Sequence, residues 1–256
     1  MISEHAIVDS SARLADGVSV GPGSVIGADV EIGENTWIGP HVVIEGPTKI
    51  GNNNKIFQFS SVGDAPQDVT YQGEPTCLEI GDDNVIREYC MISRGTVKGG
   101  GLTRIGNHNY LMAYAHIGHD CLLGNHITMV NYSALSGHVV VDDYANIGGY
   151  AAIHQFCHIG QCAFIARATY ITKDVLPYVM IAGYTAAACG VNTVGLRRRG
   201  FSSAAIDLIR RAYKIIFRKG LTVQQALAEL EMLQAECVEI IPLIDALNQS
   251  TRGIVR

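Results

Sequence analysis

Residues 24–46 read SVIGADVEIGENTWIGPHVVIEG. Within this stretch Ile26, Ile32, Ile38 and Ile44 recur at intervals of six, and glycine follows three of the four. Working outward, the same step lands on Val8, Leu14, Val20, Ile50, Ile56 and Val62. The count resumes at Ile80, Ile86 and Ile92, slips by one residue, and then runs unbroken from Ile105 to Ile171. In all, 25 aliphatic positions fall in three phased blocks, and glycine follows 12 of them. The fourth residue after the aliphatic one is usually small, as in Ser24, Thr36, Ser60, Ala115, Ser133 and Ala163. A helix needs a period of about 3.6 and a lone strand a period of about two. A strict six carried by β-branched residues and glycine describes a short strand plus a turn, repeated. The aliphatic side chain fills the interior, glycine permits the bend, and the small residue fits a crowded corner.

This pattern resembles the hexapeptide-repeat proteins, whose fold is a left-handed parallel β-helix with three hexapeptides in each triangular coil. The handedness comes from the resemblance and not from the spacing, because crossovers are ordinarily right-handed. The β-helix is expected over residues 1–190 and a small helical domain over 191–256. Residues 64–79, DAPQDVTYQGEPTCLE, keep the phase but lose the aliphatics and are expected to loop out. VKGGGL, residues 97–102, reads as a second, flexible loop, and the repeat ends near Asp174. Beyond it, Ile206, Ile209, Tyr213, Ile216 and Phe217 fall at helical spacing, with Ser202 as N-cap and Gly220 as stop. Thr222 with Gln225 opens a second helix, and Pro242 begins a third.

Composition narrows the function classes. With 48% apolar and 17% charged residues over 256 positions, the chain can bury a large core. Seven cysteines without CxxC spacing point to free thiols in a reducing compartment and argue against a disulfide framework or a cysteine zinc site. No cationic segment leads into an apolar run at the N-terminus, and no stretch of about 18 apolar residues could span a bilayer. The expected location is the cytoplasm. Residues 1–195 carry nine basic and 18 acidic side chains, whereas residues 196–219 carry eight basic and one acidic. So short a basic block on an acidic protein is a local docking feature, too small for nucleic-acid binding.

Given a coil of eighteen residues, position n lies against n+18. His119 then stacks on Gly137 and Gln155, whose sequence neighbours are His138 and His154, while His116 stacks on Ala134 and Ala152. Three readings of this corner stand side by side. The histidines are structural; or His116, His119 and His138 hold zinc; or one imidazole is a general base, with a glycine N–H available to an oxyanion.

Longer segments carry a more specific resemblance. FQFSSVGDAPQDVTYQGEPT (57–76), IREYCMISRGTVKGGG (86–101), AHIGHDCLLGN (115–125), SGHVVVDDYANIGGYAAIHQFCHIG (136–160), KDVLPYV (173–179), GVNTVGLRRRGF (190–201), RRAYKIIFRKG (210–220) and TRGIVR (251–256) resemble the UDP-N-acetylglucosamine O-acyltransferases over essentially the whole chain. The resemblance implies transfer of an R-3-hydroxyacyl chain from acyl carrier protein to the sugar 3-hydroxyl, the first step of lipid A synthesis. It makes His119 the base, Asp120 its orienting partner and Gly137 the oxyanion donor, with no metal or cofactor. His116, His138, His154 and Gln155 match positions lining the sugar and acyl groove. Gln67 and Asp68 belong to the loop that helps cover the cleft. Arg198 and Arg199 match arginines near the nucleotide diphosphate, with Asn192 on the uridine side. Arg211, Lys214 and Arg218 form a basic helix stripe suited to an acidic carrier protein. The family assembles as homotrimers with the site between prisms.

The sequence also departs from the family pattern. Ser93 replaces the histidine of IHRGTV, Thr70 the lysine of QDLKY, and Val194 the acid of GVNIEG. Ser93 and Thr70 leave a 3-amino analogue of the sugar as a second acceptor. Related enzymes stop the acyl chain with a side chain below the base, and Arg167 occupies a matching position. The N-acyltransferase of the same pathway, a coenzyme A-dependent acetyltransferase, a zinc carbonic anhydrase and a non-catalytic scaffold are the remaining readings.

Overall fold

Backbone pairing between residues eighteen apart sets the architecture. His116 pairs with Ala134, Ala134 with Ala152, and Ala152 with Tyr170, all parallel. The computed structural model describes residues 1–256. Its strands, most of them two residues long, form three sheets of nine, eight and ten strands. The chain is a left-handed parallel β-helix, a triangular prism whose faces are these sheets. The first face runs from Ile7–Val8 to Tyr170–Ile171, the second from Arg13–Leu14 to His158–Ile159, and the third from Ser19–Val20 to Ala187–Val191. We call the turns from first to second face the first edge, from second to third the second edge, and from third back to first the third edge.

The aliphatic ladder points inward. Ile38, Ile44, Ile86, Leu111, Ile117, Met129 and Ile147 are wholly buried and belong to one continuous core. Each such side chain stabilises the fold by about 1.5–3 kcal/mol relative to an exposed one. The glycines act differently from the expected bend. Gly21, Gly33 and Gly118 do not adopt positive φ, but a Cβ on them would lie 2.6–2.9 Å from backbone of the next coil. They are needed for close approach between coils. The left-handed bend falls two residues later on Asn35, Asn53, His126, Tyr144 and their equivalents, with φ of 55–64°. Stacking offsets this strain: Tyr89, Tyr114, Tyr132 and Tyr150 pile along the third edge with ring centroids 4.6–4.8 Å apart.

The small-residue corner is also modified at the second edge, where asparagines form a buried ladder. Asn54 Oδ1 accepts from the N–H and Nδ2 of Asn84. Asn84 Nδ2 donates to the Gly106 carbonyl, and its Oδ1 accepts from the N–H of Asn109.

Two insertions break the register without ending it. Ile50 pairs with Ile80 and Ile80 with Ile105, so the offset grows from eighteen to 30 and then 25. Of the segment expected to loop out, residues 65–76 do so, whereas Asp64 ends a first-face strand and Cys77–Glu79 already pair within the second face. The segment expected to be a flexible loop instead contains a 3-10 turn, Val97–Gly99, capped by Thr96. The prism also continues past Asp174: Val179–Ala182 extends the third face in parallel, and Ala187–Val191 closes it antiparallel.

Four helices follow: α1, Thr193–Arg198; α2, Ser203–Arg218; α3, Val223–Gln234; and α4, Ile241–Gln249. Ser202 caps α2, Thr222 and Gln225 form a capping box on α3, and Pro242 stands in the first turn of α4. The short α1 carries no apolar period and is not read from the sequence. The C-terminal strap returns to the prism, where Ile254 bridges to Asp174 and Ser250 Oγ donates to the Asp174 carboxylate at 2.6 Å. No helix is long and apolar enough to cross a membrane, and the seven cysteines are free thiols.

Two outcomes test this packing. Asn84→Ala orphans the Gly106 carbonyl and the Asn109 N–H in the interior, and equilibrium denaturation should show a loss of about 2–3 kcal/mol. His158 Nε2 lies 2.8 Å from Asp142 Oδ1, and this bond raises its pKa above the ordinary value near 6.5. A folded pKa above the unfolded one stabilises below the unfolded value and is lost as pH rises through the folded value. His158→Gln should therefore lower the melting temperature more at about pH 5.5 than at about pH 9.

Candidate active site

The first edge concentrates the chemistry. Both insertions leave the prism there, and the next coil at that edge carries His119 and Asp120. His119 Nδ1 lies 2.7 Å from Asp120 Oδ2. The Asp120 side chain is only 1% exposed, against 18% for His119. Its Oδ1 accepts the Thr96 N–H and its Oδ2 the Thr96 hydroxyl, each at 2.7 Å. The Asp120 N–H donates to Thr103 Oγ1 at 2.8 Å. A Cβ on Gly99 would fall 2.0 Å from Asp120 Cγ, so the turn after Thr96 closes directly over the carboxylate. Thus one buried carboxylate is fixed by a backbone N–H and a hydroxyl, and it holds one imidazole nitrogen.

The His119 ring lies over Gly137. A Cβ there would sit 2.5 Å from its Cε1 and 2.7 Å from its Nε2, so any other residue would push the imidazole away. The Gly137 N–H has no acceptor within the chain, like those of His119 and Gln155 in the same column, whereas on the second edge the N–H groups of Asn107 and Asn125 donate to Asn125 and Asp143 side chains. His138 completes the group, with Nε2 3.6 Å from Asp120 Oδ2 and its ring stacked on Phe156 at 4.4 Å. Burial lowers its pKa, against the attraction of Asp120. His116, on the adjoining first-face strand, is also held low by burial, with His119 adding to the effect. Both therefore favour the neutral form.

The remaining sequence-predicted residues are more scattered. His154 and Gln155 occupy the coil beyond His138, and His154 Nδ1 lies 3.4 Å from Arg252 of the C-terminal strap. Gln67 donates to Met91 Sδ, and Asp68 follows it in the first insertion. The Asp68 pKa is lowered chiefly by the Thr70 N–H and hydroxyl, with Lys98 and His119 close enough to add. Arg199 lies over the Tyr144 ring at 4.0 Å on the second edge, one face away from His119, and Arg198 is exposed beside it. Asn192 caps α1 through Gly195 and donates to the Cys162 carbonyl. Arg167 lies over Tyr150, 5.5 Å from its centroid, on the third edge. Of the α2 stripe, Arg211 lies 4.0 Å from Glu236 and Arg218 donates to Tyr213 and the Ala188 carbonyl, whereas Lys214 is exposed. Ser93 is buried at 2% exposure and Val194 is 56% exposed.

The zinc set read from spacing needs correction. The ligand atoms that converge within 4.8 Å belong to His119, Asp120 and His138, and His116 stands outside them. An ion there would compete with Thr96 and His119 for the Asp120 oxygens. Sequence reasoning missed Thr96, Thr103 and Arg252. The one available signal for Thr96 was the one-residue slip in the count of six, which falls on the edge that carries His119.

Comparison with known proteins places the whole chain in a family. Residues 174–255 match the family model described as UDP N-acetylglucosamine O-acyltransferase, domain 2, and residues 29–63 match the bacterial transferase hexapeptide model. The acyl-[acyl-carrier-protein]–UDP-N-acetylglucosamine O-acyltransferase of Ectopseudomonas mendocina is 55% identical, covering 100% of this chain and 99% of its own. That of Saccharophagus degradans is 52% identical with the same coverage. The structure of LpxA from Acinetobacter baumannii superposes with a TM-score of 0.98 at 48% identity, covering 100% of this chain and 99% of its own.

Thr96→Val keeps the backbone N–H but removes the hydroxyl from a buried carboxylate. It should cost about 1–3 kcal/mol in thermal or chemical unfolding, with Thr96→Ser close to the parent.

Proposed function

The chain belongs to the UDP-N-acetylglucosamine O-acyltransferase family, and on that footing we propose how its first edge transfers an acyl chain. The donor is a 3-hydroxyacyl thioester on acyl carrier protein, and the acceptor is the 3-hydroxyl of UDP-N-acetylglucosamine. The observation that carries this reading is the imidazole of His119, held through Nδ1 by buried Asp120 and lying on Gly137, whose N–H is free.

A sugar hydroxyl scarcely ionises near neutral pH, so its proton must leave as it attacks the thioester carbonyl. With Nδ1–H donated to Asp120, His119 Nε2 presents a lone pair and takes that proton. The imidazolium so formed faces the Asp120 carboxylate. The tetrahedral oxyanion accepts from the Gly137 N–H, a donor already in place before the reaction. Collapse breaks the carbon–sulfur bond, and the departing thiolate recovers the proton from Nε2. The neutral His116 and His138, with His154 and Gln155 one coil on, line the path of the sugar and acyl chain, while Gln67 and Asp68 close over it.

We place Arg198 and Arg199 at the nucleotide diphosphate, whose oxygens suit guanidinium forks, and Asn192 behind them on the uridine side. Their position one face from His119 favours a site shared between copies of the chain, with the arginines of one reaching the histidines of the next in a homotrimer. The division between catalytic prism and helical domain falls near residue 191. Lys214, the unpaired member of the α2 stripe, is available to an acidic carrier protein. We assign the enzyme to the cytoplasm, where carrier-bound acyl chains and nucleotide sugars meet. The O-acyltransferase relatives support the hydroxyl over the amine as acceptor, with Ser93 buried and Thr70 bonded to Asp68 in this chain.

Purified protein given 3-hydroxyacyl carrier proteins with equal UDP-N-acetylglucosamine and its 3-amino analogue should yield the O-acyl product by mass spectrometry. His119→Ala should lower kcat at least about a hundredfold with the melting temperature retained. Exclusive N-acylation would overturn the hydroxyl acceptor, and full activity in the variant would overturn the base.

A further inference from the structure

One side chain joins the two insertions at the first edge. Lys98 Nζ donates to Thr70 Oγ1 at 2.8 Å, and the Thr70 hydroxyl donates onward to Asp68 Oδ1 at 2.9 Å. Lys98 lies in the 3-10 turn, next to Gly99, whose α-carbon packs against Asp120. The ammonium therefore stands at the rim of the His119 cluster, and both Lys98 and His119 are close enough to act on the Asp68 carboxyl.

No carboxylate pairs with this ammonium. Asp68 accepts the N–H and hydroxyl of Thr70, and Glu74 accepts the N–H of Gln72, so the neighbouring acids are engaged by their own loop. Lys98 is left with a neutral hydroxyl. Asp68 and Glu74 both feel this charge, yet no carboxylate touches the ammonium, so its remaining N–H donors are available to an anion from outside. The surrounding loop narrows the choice of anion. Residues 64–79 carry Asp64, Asp68, Glu74 and Glu79 and no basic side chain, a charge that repels an acidic protein surface. The same charge opposes any anion, but a diphosphate is small enough to meet the ammonium alone, whereas an acidic protein surface would face the whole loop.

Resting on the acyltransferase reading above, we propose that Lys98 is a substrate-binding residue whose ammonium holds the diphosphate of the sugar nucleotide. It supplies charge from the second insertion, while Thr70 of the first fixes its direction. The contact is made before and during reaction alike, so its loss weakens binding and leaves turnover nearly unchanged.

The test is steady-state kinetics of Lys98→Gln, varying each substrate in turn. The KM for UDP-N-acetylglucosamine should rise about tenfold, with kcat and the KM for acyl carrier protein within about twofold of the parent. The defect should shrink at high salt. Thr70→Lys in the Lys98→Gln background places an ammonium at the other end of the 2.8 Å contact and should recover most of the lost affinity. Parent turnover in the same assay reports on the reaction itself, so failure of the Lys98 assignment would be seen against an active enzyme. An unchanged sugar-nucleotide KM overturns the proposal, as does a rise confined to the carrier protein. A lowered melting temperature without rescue by Thr70→Lys overturns it too, leaving Lys98 as a structural tie between loops.

Discussion

The closest approach between successive coils governs everything else in this molecule. Where a coil leaves a face, its backbone passes so near the next coil that a Cβ on Gly33 would lie 2.6 Å from the Gly51 carbonyl carbon. That distance keeps the parallel pairing at eighteen residues, and the pairing converts a linear count into columns. His119 meets Gly137 because they are eighteen apart, and for no more local reason. The His119 imidazole fills the space over an α-carbon where a larger residue would stand. The geometry that compresses the edges thus also makes room for the ring.

A regular prism would have no cleft, and the chain makes one by interrupting its own repeat. Both insertions emerge at the first edge, and the columns resume after each because the lengthened offsets still return the chain to the second face. The inserted chain is tethered at its bases. Arg94 donates to the Gly46 and Gly63 carbonyls and to the Tyr71 hydroxyl, fixing the first insertion, while Thr96 fixes the second on Asp120. A broad surface groove lies lower on the second face, where Arg13, Glu31, Lys49, Glu79 and Arg104 alternate in charge over glycine. It contains no histidine and no free backbone donor beside a base, so breadth alone does not mark the site.

The fold was legible because its signal is cumulative: Ile26 means little, but 25 aliphatic positions in phase leave few architectures. The columns of the site followed from that period, which put His119, Gly137 and His138 together. What lay outside the period was unreadable for a physical reason. Thr96 and Lys98 sit in an insertion, where no register relates residue number to position. The capping role of Asn192 was unreadable too, because nothing in GVNTVGLRRRGF announces a helix as short as α1, which its side chain caps. The metal set erred because spacing weighed His116 and His119 alike, although a strand residue and an edge residue three apart point in different directions. The glycines were placed correctly and explained wrongly, since sequence cannot tell a residue that must bend from one that must be thin.

That directional point also accounts for the pairing of His119 with its immediate neighbour. Along an extended strand, adjacent side chains point to opposite sides, so a histidine and the aspartate that follows it would not meet. Asp120 instead occupies the left-handed position of the first edge, with φ of 60°. At the third edge the same position sends tyrosines outward to stack. At Asp120 the short carboxylate turns inward, where Thr96 closes over it and leaves it 1% exposed. The bend that each coil needs merely to turn a corner therefore brings two consecutive side chains within 2.7 Å. A strained backbone position that aspartate tolerates better than most residues becomes, by the addition of one threonine from an insertion, the device that aims the base.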